Sequence, residues 1–211
     1  MNVKNLLETL TREKAPGPTP SFQVFHVLKA LELISSSSIG RGMLAKKLGI
    51  GEGATRTLLE RLKEAEIVSV SKAGCSLTKR GEEVWKEVKS VLVAKARLEQ
   101  TKLTLSPCNI VIVVKKRRNK VKLGMEQRDA AFLAGAKGAT TLVVEKGKLS
   151  MPNVPSNIAK DFPSVHETIM HALKPSDGDA VVIGSADTWE KAEYGAIAAA
   201  WTLFDDDSRD N

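Results

Sequence analysis

The first half of the chain alternates between helical and strand-like patterns of apolar residues. After a proline-rich stretch, Phe22, Phe25, Leu28 and Leu31 recur at three-residue steps, which predicts an amphipathic helix with Ser21 as its N-cap. Further apolar patterns follow and are separated by glycines. The elements predicted for this region are helices over 22–35, 41–48, 52–65 and 79–99 and strands over 67–70 and 75–77.

The first twenty residues have a different character. Leu6, Leu7 and Leu10 favour one short helix over residues 4–14. The sequence Ala-Pro-Gly-Pro-Thr-Pro follows and cannot be helical, because proline lacks an amide donor and pushes the preceding residue into an extended conformation. We therefore interpret residues 1–20 as an N-terminal arm.

From residue 108 onward, strands alternate with helices. The sequence Asn-Ile-Val-Ile-Val-Val at 109–114 is a largely β-branched run, typical of a strand covered on both faces. The predicted elements are strands over 109–114, 120–123, 139–145, 148–151 and 179–184 and helices over 125–136, 165–173 and 188–204. This alternation predicts a small α/β domain with a mixed sheet, and the whole chain is then α+β.

The predicted organisation is an arm, two domains and a tail. Residues 21–99 form the first domain, which ends in an extended helix, and residues 108–204 form the α/β domain. Residues 205–211 contain four Asp and one Arg, which predicts a solvated acidic tail.

Residues 44–62 supply the three parts of a helix-turn-helix, which are a supporting helix, a tight turn and a second helix with one free face. Ala45 is small where two helices must cross closely, and Gly49 permits the left-handed conformation of the turn. Leucines along one side of the second helix hold it against the core, so Arg56 and Thr57 are left on or near its outer face.

This stretch resembles the winged-helix repressors, in which such a helix is followed by a leucine, two or three charges and a strand. Here that pattern is Leu-Lys-Glu-Ala-Glu-Ile-Val at 62–68, and Leu-Thr-Lys-Arg-Gly at 77–81 resembles the strand-to-helix exit that closes the wing. The resemblance covers residues 22–89. The chain departs from the family at Gly51, where Ser or Thr usually caps the recognition helix, and at Glu66, where glycine is common.

The resemblance implies that the recognition helix enters the major groove of duplex DNA, where base edges can be distinguished. Arg56 is the candidate for a base contact, and Thr57 for a contact to a base or a phosphate. Other cations would mainly contact phosphates, and these are Arg41, Lys46, Lys47, Arg61, Lys72, Lys79 and Arg80. The alternative interpretation of Arg56 and Arg61 is a solvated helix face, since each has Glu60 or Glu64 nearby at helical spacing.

The whole chain is also similar to an archaeal family of winged-helix proteins whose C-terminal domain is uncharacterised. The suggestive residues are Gly-Met-Glu-Gln-Arg-Asp-Ala-Ala at 124–131 and Gly-Ala-Lys-Gly-Ala-Thr-Thr-Leu at 135–142. This similarity implies transcription regulation. The alternative is a winged-helix module that binds a protein or RNA without sequence-specific recognition of DNA.

Charge favours a polyanionic partner, and composition argues against several other classes. The net charge is +7 and the pI about 9.4, and residues 39–80 carry nine Lys and Arg against four Glu. No apolar run approaches the roughly 18 residues of a membrane span, so we expect a cytoplasmic protein without a membrane partner. Cys75 and Cys108 stand alone and the histidines lack metal-ligand spacing, so we expect no metal, no cofactor and reduced thiols.

In the C-terminal domain, Gly184, Ser185 and Asp187 follow a buried strand and open a helix, where backbone N–H groups can bind an anion. Glu126 and Arg128 at the start of another helix complete the candidate ligand site, although Asp187 can instead cap its own helix. No nucleophile–base pair is recognisable, so we expect no enzyme. The domain is expected to sense a small-molecule effector or to form a homodimer, with a pairing seam of Val84, Val88, Val91 and Leu92.

A basic run, Lys-Lys-Arg-Arg-Asn-Lys at 115–120, joins two predicted strands. One interpretation is a second nucleic-acid contact or an anion site. The other, which the sequence favours, is a solvated hairpin tip that discourages edge-to-edge strand pairing.

Overall fold

The structure, a computed structural model, describes residues 2–14, 19–154 and 156–204. The described residues form two units, which meet in the sequence between Lys89 and Ser90. None of the described helices has the length and apolar character that crossing a membrane requires.

The N-terminal unit is mainly helical, with one antiparallel hairpin after its fourth helix. Its elements are α1 (Val3–Thr9), α2 (Val24–Ser36), α3 (Arg41–Leu48), α4 (Glu52–Glu64), β1 (Val68–Ser71), β2 (Gly74–Leu77) and α5 (Lys79–Val91). Each end of α3, α4 and the two strands of the hairpin lies within one residue of its predicted position. The predicted helix-turn-helix with its wing is therefore confirmed.

Gly49 makes the turn between α3 and α4. Its φ of 61° is left-handed, and its N–H donates to the carbonyls of Ala45 and Lys46 at the end of α3. Glycine adopts this conformation without a steric penalty, which ends α3 where the sequence predicts. Leucines from both helices are fully buried beneath the turn, namely Leu44, Leu48, Leu58 and Leu62.

Thr78 and Gly81 join the hairpin to α5. The Thr78 hydroxyl donates to the Glu66 carbonyl at 2.5 Å and accepts from the Gly81 N–H at 3.0 Å, so it caps the start of α5. A Cβ at Gly81 would lie 2.0 Å from the carbonyl oxygen of Ile67, so only glycine lets α5 approach the hairpin this closely. The predicted strand-to-helix exit thus has a steric reason.

Residues 2–14 pack onto the N-terminal unit, so the interpretation of residues 1–20 as an arm is wrong for this part. Val3 and Leu7 of α1 are fully buried, and Leu10 is nearly so. The apolar side of α1 is therefore part of the core of the N-terminal unit. The local sequence did not show which surface this side packs against. Residues 15–18 of the predicted arm and the predicted tail 205–211 lie outside the described residues.

Helix α2 begins later than predicted. Its N-cap is Gln23, and the Gln23 N–H donates to Nδ1 of His26 at 3.0 Å. Ser21 therefore does not cap this helix. The imidazole of His26 accepts the backbone N–H of Gln23 instead.

The C-terminal unit combines one sheet with helices. Its elements are β3 (Leu92–Leu98), β4 (Cys108–Val114), α6 (Met125–Leu133), β5 (Gly138–Glu145), β6 (Lys148–Ser150), α7 (Ile158–Asp161), α8 (Pro163–Thr168), β7 (Ala180–Ala186) and α9 (Trp189–Thr202). Within the described residues, the sheet has the strand order β3-β4-β7-β5-β6.

All neighbouring strands of this sheet are antiparallel, so the prediction of a mixed sheet is wrong. Strands β4 and β5 run in the same direction, as the strand-helix-strand alternation suggests. However, β7 lies between them and pairs with both. The alternation could not show that the last strand of the chain is inserted there.

The predicted helix over 79–99 ends at Val91, and residues 92–98 are strand β3 instead. Half-buried and exposed residues alternate along β3, and it pairs with β4 as an edge strand. The predicted pairing seam is wrong as well, because three of its members are buried within the chain: Val84, Val88 and Val91.

Residues 115–120 are not a hairpin tip. Residues 120–123 do not form the predicted strand. A short 3₁₀ turn at Arg118–Lys120 ends at the first of them. Strand β4 therefore leads into a loop and then into α6, since both of its sheet neighbours come from elsewhere in the chain.

Helix α9 packs closely on β7. A Cβ at Gly184 would lie 2.4 Å from the backbone nitrogen of Ala196 and 2.6 Å from the carbonyl oxygen of Ala192. On the sheet, aliphatic side chains such as Val111, Leu142 and Val181 build the core with no exposure to solvent.

Candidate nucleic-acid interface

Helix α4 uses one face for packing against the core, and its opposite face takes no part in that packing. Its buried residues are Thr55, Leu58, Leu59 and Leu62. Gly53, Thr57 and Glu60 lie on the opposite side at three- and four-residue steps, and a Cβ at Gly53 would meet nothing within 4 Å. Among the described residues, this outer face forms one wall of a cavity of about 430 Å³, and Lys14 and residues 19–22 of the N-terminal segment line the same cavity.

Arg56 lies at the edge of this outer face, and 69% of its side chain is exposed. Its Nε donates to Oε1 of Glu60 at 2.9 Å, one helical turn further along. This hydrogen bond and the charge of Glu60 raise the pKa of Arg56 above its ordinary value, so the guanidinium stays charged. Both interpretations of Arg56 have support here, because the side chain is accessible but already has a carboxylate partner.

Thr57 is half-buried, and its hydroxyl donates to the Gly53 carbonyl at 3.2 Å. One hydroxyl oxygen retains lone pairs that can accept a further hydrogen bond. Thr57 thus lies beside Gly53 on the outer face of α4, as the sequence predicts.

Arg61 has a different role from the predicted one. Its Nη1 donates to the carbonyls of Leu10 and Arg12, both at 2.7 Å, and its guanidinium lies 5.7 Å from the ring centre of Phe22. The prediction of a phosphate contact has to be corrected, because this half-buried guanidinium binds the N-terminal segment to α4. Lys14 adds an exposed ion pair with Glu64 at 2.8 Å.

Both helices of the helix-turn-helix begin at glycines that offer no side-chain cap. Gly40 precedes α3 and Gly51 precedes α4, and neither helix start has a side-chain cap hydrogen bond. A Cβ at either glycine would meet nothing within 4 Å. The first backbone N–H groups of a helix attract anions when no side chain satisfies them, so both ends suit phosphate oxygens.

The other predicted phosphate contacts lie on exposed parts of the same unit. Arg41, Lys46 and Lys47 are exposed on α3, Lys72 is exposed at the hairpin tip, and Lys79 is exposed at the start of α5. Burial raises the pKa of the Cys75 thiol, and the charge of Arg41 opposes that rise.

Arg80 is the second predicted phosphate contact with an internal partner. Its Nη1 lies 3.1 Å from Oε2 of Glu66, and Glu66 has a left-handed backbone with a φ of 59°. The residue that departs from the family pattern thus supplies the carboxylate that pairs with Arg80.

The ligand site predicted at the end of β7 combines buried residues with an exposed carboxylate. Gly184 lies against α9, and the fully buried Ser185 hydroxyl donates to Oδ1 of Asn109 at 2.6 Å. Asp187 accepts from Ser106 Oγ at 2.8 Å and pairs with Lys137 at 3.1 Å, and these hydrogen bonds lower its pKa. The side chains of Ser185 and Asp187 are thus already paired within the protein, and the anion site predicted here stays a prediction.

Thr188 caps α9 rather than Asp187, since its Oγ1 accepts from the Lys191 N–H. Glu126 and Arg128 do not join the residues of β7 in one site. Arg128 is bonded to the neighbouring Asp129 at 2.9 Å, and Glu126 lies 3.5 Å from Lys122.

Glu126 lines a shallow cavity of about 290 Å³ together with Lys122, Gly124, Gln127 and Asp129. Arg128 does not line it. Over the described ranges, no three His, Cys, Asp or Glu side chains come together as a metal site. Cys75 is buried and Cys108 half-buried, and both are free thiols.

Sequence reasoning missed the attachment of residues 10–14 to α4. Arg61 lies 51 positions from Leu10, and Lys14 lies 50 positions from Glu64, so no local spacing indicates these contacts. The only signal was the leucine pattern of residues 6–10, which favours a helix with an apolar side that must be covered.

Comparison with known proteins separates the same two regions. Residues 23–92 match the family described as the CggR N-terminal DNA-binding domain, and residues 105–203 match a domain of unknown function, DUF4443. A solved structure, the hypothetical protein PH0730 from Pyrococcus horikoshii OT3, is 31% identical. The match covers 87% of this chain and 93% of that chain, with a TM-score of 0.69. No protein of curated function matches the chain.

Proposed function

The chain belongs to the family of the hypothetical protein PH0730 from Pyrococcus horikoshii OT3, and its residues 23–92 match a DNA-binding domain family. From this premise we propose that it is a transcription regulator. On this proposal, α4 enters the major groove of duplex DNA and reads sequence there. The protein acts in the cytoplasm by binding and has no catalytic role.

The observation that carries the proposal is the outer face of α4, which takes no part in core packing and lines a cavity of about 430 Å³. Gly53 lets the helix backbone approach a base edge closely, and Arg56 at the edge of this face can donate two hydrogen bonds to a guanine. The uncapped starts of α3 and α4 suit two phosphates and would fix the register of the helix.

The proposal includes two-fold pairing of the protein on its operator. One recognition helix offers few base contacts, and a homodimer doubles them on a symmetric site. The predicted seam on α5 is buried, so pairing needs another surface. The C-terminal unit offers α6, where Phe132 and Leu133 are 68% and 85% exposed. We assign pairing rather than effector sensing to this unit, because the five residues of the predicted ligand site do not form one site.

Selection from a pool of random duplexes tests the proposal. The purified protein should enrich one sequence with two-fold symmetry and bind it at least ~10³-fold more tightly than random DNA. Arg56→Ala should lower the preference for one base position by roughly 10–100-fold, because a bidentate base contact is lost. Lys63→Ala is the matched control, since it removes an exposed cation near the other end of the same helix.

Each outcome separates the alternatives. Equal preference in wild type and Arg56→Ala would contradict the role of Arg56. Salt-sensitive binding without an enriched sequence would contradict sequence-specific reading and favour the electrostatic interaction alone. Absence of duplex binding would favour a protein or RNA partner for the winged helix. An enriched site without symmetry would contradict pairing.

A further inference from the structure

Three loops of the C-terminal unit meet at one end of its sheet. They are residues 115–120 after β4, residues 145–148 at the turn between β5 and β6, and residues 174–179 before β7. Strand pairing brings them together, because the end of β4 and the end of β5 both pair with the start of β7 at Ala180. We call this end of the sheet the basic face.

The basic face concentrates positive charge. Its cations are Lys115, Lys116, Arg117, Arg118, Lys120, Lys146, Lys148 and Lys174, and its acidic residues are Glu145, Asp177 and Asp179. Apart from Arg117, all of these cations are exposed. The three loops thus carry an excess of five positive charges within sixteen residues, and residues 39–80 carry the same excess over a longer stretch.

The two aspartates of the basic face hold the loops in place, whereas Glu145 forms an ion pair with Arg118 at 2.6 Å. Buried Asp179 accepts from the backbone N–H groups of Lys116 at 2.9 Å and Ser176 at 2.8 Å. Asp177 accepts from the Gly147 N–H at 2.7 Å. These bonds connect all three loops through their backbones. The loop backbones that carry the cations are therefore held together before a partner binds, which lowers the backbone part of the ordering cost.

Three lysines of the basic face have left-handed backbones. Lys116, Lys146 and Lys174 have φ values of 54°, 50° and 46°, one in each loop. Glycine or asparagine adopts this conformation more easily than lysine, so a lysine at each of these turns is unfavourable for the fold. Local strain of this kind is typical of positions kept for binding. The side-chain charge is the property that glycine and asparagine would not supply.

The composition of the basic face indicates the kind of partner. Its three loops contain no aromatic residue, whereas proteins that hold single strands stack bases on aromatic side chains. Protein–protein interfaces also favour aromatic residues and methionine at their centre, and none is present here. Cations on several rigid loops suit an extended row of phosphates instead.

We propose that the basic face is a second DNA-binding surface, which binds the sugar–phosphate backbone of duplex DNA independently of the winged helix and of base sequence. It adds affinity and salt dependence to the recognition by α4. This assignment concerns the C-terminal unit alone and does not depend on sequence reading by the N-terminal unit.

The double variant Lys146→Asn/Lys174→Asn tests the proposal in the full chain. Asparagine tolerates the left-handed backbone, so the variant should be at least as stable as wild type. Binding to a mixed-sequence duplex should weaken at least tenfold at low salt. The slope of log affinity against log salt should become shallower by nearly 2, since each lost phosphate contact removes about 0.9.

The matched control is Lys102→Asn/Lys191→Asn, which removes two exposed lysines of the same unit beside the opposite end of the sheet. The slope of this control should stay unchanged. Equal slopes in both double variants, or an unchanged slope in Lys146→Asn/Lys174→Asn, would overturn the proposal. Binding of single-stranded RNA in preference to duplex DNA would overturn it too.

The result is distinguishable from the test of the proposed function. Loss of duplex affinity in Lys146→Asn/Lys174→Asn without any enriched sequence would support the basic face and contradict the regulator. An enriched sequence bound equally well by that variant would support the regulator and overturn the basic face.

Discussion

Helix α4 and the basic face both expose cations, but they hold them in different ways. On α4, three cations are matched by three acidic residues, namely Arg56, Arg61 and Lys63 against Glu52, Glu60 and Glu64. On the basic face, cations exceed acidic residues by five, and its aspartates bond to loop backbone. A neutral helix attracts DNA weakly from a distance and has to recognise it by geometry, whereas a localised excess charge attracts any phosphate backbone.

This difference suggests a division of roles. Phosphate contacts carry affinity and salt dependence, while base contacts carry specificity. Variants of α4 should therefore change preference or local structure with little effect on the salt slope, and variants of the basic face should do the opposite. The following predictions test that division from the side of the N-terminal unit.

The largest effect is expected for Arg61→Met. Loss of the two hydrogen bonds to the carbonyls of Leu10 and Arg12 should destabilise the N-terminal unit by about 2 kcal/mol. Urea unfolding followed by the fluorescence of Trp85 measures it, with Trp189 and Trp201 of the other unit replaced by Phe. The salt slope of DNA binding should stay unchanged.

Lys63→Met is the control for this variant, because it puts the same side chain at an exposed position of α4. A salt slope shallower by about 0.9 in Arg61→Met, without loss of stability, would show that Arg61 contacts a phosphate after all.

A smaller effect is expected in the N-terminal unit when the pH falls from 6.5 toward 4. Burial lowers the pKa of His26 from 6.5 to about 4. The pKa of His26 is lower in the folded protein than in the unfolded chain. The stability contributed by the neutral imidazole is therefore complete above about pH 6.5 and is lost as the pH falls toward 4. The imidazole is partly exposed, so solvent screening reduces the expected loss to about 1–2 kcal/mol.

Unfolding of the same Trp85 reporter at a series of pH values measures this loss. His26→Gln should flatten the profile between pH 6.5 and 4, because glutamine does not titrate there. An equally steep profile in His26→Gln would assign the acid sensitivity to other groups.

The sequence predicted the helix-turn-helix because its signals are local. Gly49 and the leucines of α3 and α4 act within one helical turn of their neighbours, and the structure places them as expected. The prediction of a helix over residues 92–98 was wrong, because the sequence Leu-Val-Ala-Lys-Ala-Arg-Leu has high helix propensity. Pairing with β4 overrides that propensity, and the partner strand lies beyond the reach of a local pattern.

The candidate sites show the same limit. The pairing of Arg56 with Glu60 follows from helical spacing, whereas the bonds of Arg61 to Leu10 and Arg12 join distant positions. The basic face was visible in part as the run at 115–120. Its other two loops join that run only through the insertion of β7 between β4 and β5.

The smallest effect on the fold, and the most direct test of α4, is expected for Glu60→Gln. Glu60 is exposed and accepts from Arg56 Nε, so its charge both holds that guanidinium and repels phosphates. Glutamine keeps the size of the side chain and removes the charge. Affinity for the selected duplex should rise severalfold at low salt, while thermal stability stays close to that of wild type because exposed ion pairs contribute little.

Glu64→Gln is the control, since it removes the same charge from the same helix where the partner is Lys14 rather than Arg56. A gain confined to Glu60→Gln would show that releasing Arg56 matters, which the division of roles requires. Equal gains in both variants would show that only the net charge of α4 counts, so that α4 and the basic face contribute in the same way. No gain in either variant would contradict a contact between this face of α4 and DNA.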